Sequence, residues 1–147
     1  YNYGAGDTKR VMKSFRCIVL LCLAFCGTMF LLAQTASGVF VKIFTKDPAY
    51  IDMAAYMLRT YSLGVLGLSI QYPFVDGMTG MGLVRWGLAF SMLRKSLFLV
   101  CVFVLPPLFG ATAVMLSEPV SDIAGAVCSG SAALFLMPKL VRKQSGN

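Results

Sequence analysis

Residues 17 to 41 contain no charged side chain. That run exceeds the about 20 apolar residues an α-helix needs to cross a bilayer. Such a segment is either a membrane span or a leader. Lys9, Arg10, Lys13 and Arg16 before it, and Gln34-Thr35-Ala36-Ser37-Gly38 within it, imitate a secretory leader. Further apolar runs follow, and no Met opens the chain, so the span is the better reading. Composition agrees: 58% of the 147 residues are hydrophobic and only 13% are charged. A soluble domain is about a quarter charged.

The stretch before the span, YNYGAGDTKR, reads as a connecting loop rather than a natural amino terminus. Gly4 and Gly6 tolerate positive φ, and Asp7 is a good helix N-cap. The first helix is expected over about 8–34, with an interfacial amphipathic segment over about 38–45. Asp47-Pro48 starts the second helix with a capping carboxylate and a first-turn proline. That helix is expected over 48–80. Its uncharged part, Thr60 to Val75, is short for a span unless the helix continues past Asp76, and Pro73 is expected to kink it. A third span is expected over 83–109, closed by Pro106 and Pro107, and a fourth over 111–139. The fold class is therefore all-α: a polytopic transmembrane bundle of four spans.

Charge placement sets a topology. With the first loop inside, segments 1–16, 80–95 and 139–147 hold four, three and three Lys/Arg, ten of the 13 in the chain. Outer segments 42–59 and 105–122 hold three and none. Cytoplasmic loops are the basic ones, so both ends are expected in the cytoplasm. The net charge of +7 is clustered between apolar runs, which suits an anionic leaflet and argues against nucleic acid as a partner. Membrane lipid is the partner this pattern implies.

Cys17, Cys22, Cys26, Cys101 and Cys128 all lie in apolar runs. The chain has no histidine and no Cys-x-x-Cys, so they read as small packing residues and no metal site is expected. No serine has a plausible base beside it, so an enzyme is not expected either.

Several ordered motifs resemble the multidrug and toxic compound extrusion family. Tyr1-Asn2-Tyr3-Gly4-Ala5-Gly6 is similar to that family's (Y/F)-N-(Y/F)-G-A-(G/K) loop, followed by spaced Lys9, Arg10 and Lys13. Ile43-Phe44-Thr45-Lys46-Asp47-Pro48 resembles its "lFt-D-p" turn. Gly82 to Arg85, Ser91-Met92-Leu93-Arg94-Lys95 and Pro119-Val120-Ser121-Asp122 continue the match, the last most like the prokaryotic DinF-like and MepA-like branch. Family members have twelve transmembrane helices in two lobes, and the chain resembles the last four helices of the second. The resemblance implies a C-terminal fragment lacking the N-terminal lobe and the first two helices of the second lobe. It further implies a prokaryotic plasma (inner) membrane and alternating-access antiport, in which Na⁺ or H⁺ enters as an organic cation or other drug-like xenobiotic leaves. No cofactor is expected beyond that coupling ion. A lipid-linked oligosaccharide or polysaccharide flippase of the same superfamily and a small non-transporting membrane subunit are the alternatives.

Asp76 stands out as an intramembrane carboxylate, which normally faces a cavity or a partner. Tyr72, four residues earlier, shares its helix face. The family's Na⁺-coupled branch has a tyrosine and an acid at this spacing, but further from the loop glycine, so that role is not carried over. The plain alternative puts Asp76 at the water interface. Asp122, with Glu118 one turn earlier and Pro119 between, lines a cavity at a proline-broken helix start or simply complements the helix dipole. Arg94 either anchors at the cytoplasmic surface or pairs with Asp76.

Overall fold

A computed structural model describes residues 2–139. Tyr1 of the loop motif and Arg142 and Lys143 of the basic end lie outside the described residues. The described residues form helices and turns with no strand. In order they are α1 (Thr8–Val41), α2 (Pro48–Ser62), α3 (Val65–Gly80), α4 (Val84–Phe109), a 3₁₀ segment (Ala111–Leu116) and α5 (Ser117–Phe135).

Local chemistry sets the boundaries. Residues 2 to 6 form a turn in which the Gly6 N–H donates to the Tyr3 carbonyl at 3.1 Å, and Gly6 takes φ +71 while Gly4 stays negative. The Asp7 carboxylate accepts from the Arg10 N–H at 3.0 Å and caps α1. Asp47 caps α2 through the Ala49 N–H at 3.0 Å, with Pro48 in the first turn. α4 closes at Gly110, φ +92, whose N–H donates to Pro106 O at 2.9 Å. Pro106 and Pro107 thus lie inside the last turn, and the glycine ends the helix.

Two expectations are corrected. The separate interfacial segment 38–45 does not form: α1 runs through Val41 and ends in a tight turn where the Phe44 N–H meets the Val41 carbonyl at 2.9 Å. The helix expected over 48–80 is two helices of 15 and 16 residues, interrupted at Leu63-Gly64. Leu63 and Gly64 keep right-handed dihedrals, but their N–H groups reach Thr60 O and Tyr61 O, three residues back. This is a local 3₁₀ tightening. α3 passes through Pro73 as an uninterrupted helix. Consequently, three described segments are long and apolar enough to cross a membrane: Thr8–Val41, Val84–Phe109 and Ala111–Lys139.

The packing centres on α5. Ser117, Ser121, Gly125, Ser129 and Ala133 recur every four residues, and all are buried. A stripe of small side chains lets neighbouring backbones approach closely, as in membrane helix pairs. α3 and α4 pack on this helix, while α1 packs on α2 and α3. A small apolar core of Val11, Phe74, Met78, Ala133 and Met137 joins α1, α3 and residues 133–137 at and just past the end of α5. Phe74 and Phe90 meet edge to face at 5.1 Å within it. Large apolar side chains such as Leu21, Phe25, Phe103 and Leu134 face outward on several helices, a surface suited to lipid. The chain is an all-helical, multi-pass membrane protein.

Candidate functional site

The close packing of α3 and α4 on α5 encloses a charged socket. Arg94 of α4 is 7% exposed and turns inward, away from the surface anchoring expected of it. Its Nη1 donates to Asp122 Oδ1 at 2.7 Å and to Glu118 Oε1 at 3.3 Å. The Asp122 side chain is 3% exposed and that of Glu118 17%. Glu118 and Asp122 are one helical turn apart on α5, so both carboxylates reach the same guanidinium. Tyr72 of α3 lays its ring 5.7 Å from Arg94 Cζ, within cation–π range.

Glycines make the room. A Cβ on Gly64 would stand 2.7 Å from Asp122 Oδ2, and one on Gly67 would stand 2.9 Å from the Asp122 carbonyl oxygen. A Cβ on Gly125 would stand 2.7 Å from Gln71 Oε1 and 3.2 Å from Arg94 Cγ. Gln71 is buried between these helices. Its amide nitrogen donates to Phe90 O at 3.4 Å, and its Oε1 has no hydrogen-bond partner.

Set against expectation, the structure brings together Arg94, Asp122, Glu118 and Tyr72. It does not bring Asp76 to Arg94: Asp76 is exposed, and Arg94 already holds two acids from α5. The expected Arg94–Asp76 pair is therefore corrected to Arg94–Asp122 with Glu118. Asp122 thus has a basic partner supplied by another helix. Asn2 to Gly6 form the turn before α1, remote in sequence from this cluster and without a side-chain hydrogen bond to it. Gln71 was missed. Its signal was an amide three residues before a buried phenylalanine and four after Gly67, on the face that packs.

A second polar cluster ties α1 to α2. Gln34 Nε2 donates to Arg59 O at 3.0 Å and Ser62 Oγ at 2.9 Å, and Arg59 Nε donates to Ser37 Oγ at 2.7 Å. It holds no carboxylate. Among the described residues, only the α3–α4–α5 socket combines buried charges of both signs with an unpaired acceptor.

Compared with known proteins, residues 1–106 match the MatE family model. Arg94 lies within that match, and Glu118 and Asp122 lie beyond it. The Multidrug export protein MepA of Staphylococcus saprophyticus subsp. saprophyticus is 21% identical over 136 residues, covering 92% of this chain. The chain spans 29% of that relative's length. No solved structure matches.

Proposed function

The chain belongs to the MatE family, and from that premise we propose that it forms part of a secondary antiporter that exports organic cations or other drug-like molecules. In this reading Na⁺ or H⁺ enters as substrate leaves, and two lobes alternate access around a shared cavity. The chain supplies helices of the second lobe in a prokaryotic inner membrane, with both of its ends on the cytoplasmic side. Remaining helices of the transporter and membrane lipid are its partners.

One observation carries the coupling part: a buried guanidinium shared by two carboxylates, among helices that otherwise turn apolar faces outward. Ionisable groups at membrane depth are costly and mark ion or proton pathways. Two acids against one base leave the socket a net negative charge, which a coupling cation neutralises. The same balance weighs against a flippase for pyrophosphate-linked sugars, whose cavity needs surplus positive charge.

Ethidium efflux from everted vesicles carrying the intact protein tests this reading. Efflux that accelerates on a Na⁺ or pH jump supports it. Efflux indifferent to both gradients overturns it, and efflux absent altogether turns the reading to flippase or to a non-transporting subunit.

A further inference from the structure

α1 packs on α2 and α3 through one side and leaves the opposite side open. Val11 and Phe15 take the packed side, in or against the apolar core. Lys9, Lys13 and Arg16, at spacings of four and three, share the opposite face, and all three are exposed. With Met12 and Leu20 they line a cleft of about 490 Å³. Among the described residues no carboxylate pairs with any of the three. Asp7, the acid nearest in sequence, is held by Arg10, through its side chain at 3.1 Å and its backbone N–H at 3.0 Å. Like charges one helical turn apart repel. The face therefore carries a cost that an anion removes.

One turn further on, the same face changes character. Leu20, Leu23 and Leu31 continue it at helical spacing and are exposed, and Gly27 among them has no side chain. No charged residue follows Arg16 until Lys42. From Arg16 to Gly27 the helix rises about 16 Å, close to one leaflet of a hydrocarbon core about 30 Å thick. One line along α1 thus presents two turns of positive charge and then a leaflet's depth of apolar surface. A ligand that matches both halves has a negative headgroup and hydrocarbon chains.

We propose that this face binds an anionic phospholipid, its phosphate among Lys9, Lys13 and Arg16 and an acyl chain along Leu20, Leu23 and Leu31. Long basic side chains at the end of a span reach headgroup level, where anionic lipid attracts them. An acidic peptide would match the charges but not the apolar surface beyond them. A zwitterionic lipid would match the apolar surface but brings its own cation to the phosphate. The proposal needs only that α1 crosses the membrane, so it stands apart from the antiport reading.

Native mass spectrometry of the purified intact transporter in detergent tests it, with titration of phosphatidylglycerol and of phosphatidylcholine carrying the same acyl chains. Wild type is expected to hold phosphatidylglycerol the more tightly, and no preference overturns the proposal. Neutralising one of the three residues should weaken that lipid about fivefold, and K9Q/K13Q/R16Q about a hundredfold, from the worth of one basic residue at an anionic surface. K42Q/K46Q, which changes exposed lysines beyond the other end of α1, is expected to bind as wild type. Unchanged affinity in K9Q/K13Q/R16Q overturns the site. So does an equal loss in K42Q/K46Q, which would make the preference one of net charge. Free glycerol phosphate, the headgroup without acyl chains, is expected not to compete; competition would make this a site for soluble phosphate and overturn the lipid. Removing three charges beside a span can disturb its insertion. Should the triple variant not fold, K13Q alone decides: binding about fivefold weaker supports the site, and unchanged binding overturns it.

Discussion

α1 and the segment Ala111–Lys139 around α5 are both long and apolar enough to cross a bilayer, yet they use that character in opposite ways. The most apolar stretch of α1 buries none of its residues, whereas that of Ala111–Lys139, the segment containing α5, buries 33%. Leu20, Leu21, Phe25 and Leu31 of α1 point outward, so its hydrophobicity is directed at lipid. α5 presents Ser117, Ser121, Gly125, Ser129 and Ala133 to its neighbours, so its contacts are between backbones. The polar groups follow suit. α1 keeps Gln34 and Ser37 as hydroxyl and amide ties to α2, whereas α5 carries two carboxylates onto a buried arginine. Where helices approach closely, water is excluded and charge becomes informative. Where they face lipid, only the ties between helices remain.

The strongest way to break this contrast is Asp122→Ala. Removing one partner of a buried ion pair leaves the other uncompensated, at a cost of about 3–5 kcal/mol. The low end is expected because Glu118 stays at 3.3 Å from Arg94. The melting temperature of the intact protein in detergent should drop sharply, and the Arg94→Met, Asp122→Leu double variant should recover most of it. A double variant as unstable as the single one would show that the pair is not what holds α4 to α5.

Gly67→Ala comes next. Its new Cβ would stand 2.9 Å from the Asp122 carbonyl oxygen and 3.2 Å from Ala126 Cβ. Backbone cannot rotate away as a side chain can, so α3 and α5 must separate. Overpacking of this kind costs about 1–3 kcal/mol. The same melt reads it, and an unchanged melting temperature would mean that the α3–α5 contact is looser than described.

Much of this was readable in the residues, and the gaps have physical causes. Asp7 and Asp47 cap their helices because capping is a local contact between a carboxylate and nearby N–H groups. The partner of Arg94 was not local. The residues alone pointed to Asp76, and the packed face of α3 rules it out: Gln71, Phe74 and Met78 are buried there while Asp76 is exposed. The interruption within 48–80 comes at Leu63-Gly64, where Gly64 lies directly against Asp122. Close approach between helices, invisible to local rules, chose the site. The small-residue stripe on α5 did lie in the sequence at a spacing of four.

Gly27→Ala carries the smallest effect and the opposite sign. Gly27 sits in the middle of α1, and a Cβ there would meet nothing within 4 Å. Alanine at an open helical position relieves the entropic cost of glycine, worth roughly 0.5–1 kcal/mol in favour of the helix. The melting temperature should hold or rise slightly, against a clear fall for Gly67→Ala. Both substitutions add the same methyl group to a glycine inside a helix, so the sign of the difference separates a lipid-facing helix from one packed on backbone. A comparable loss at Gly27 would mean that this face of α1 is covered by protein in the assembled transporter, and that the outward leucines and phenylalanine beside it belong to an interface between helices rather than to the bilayer.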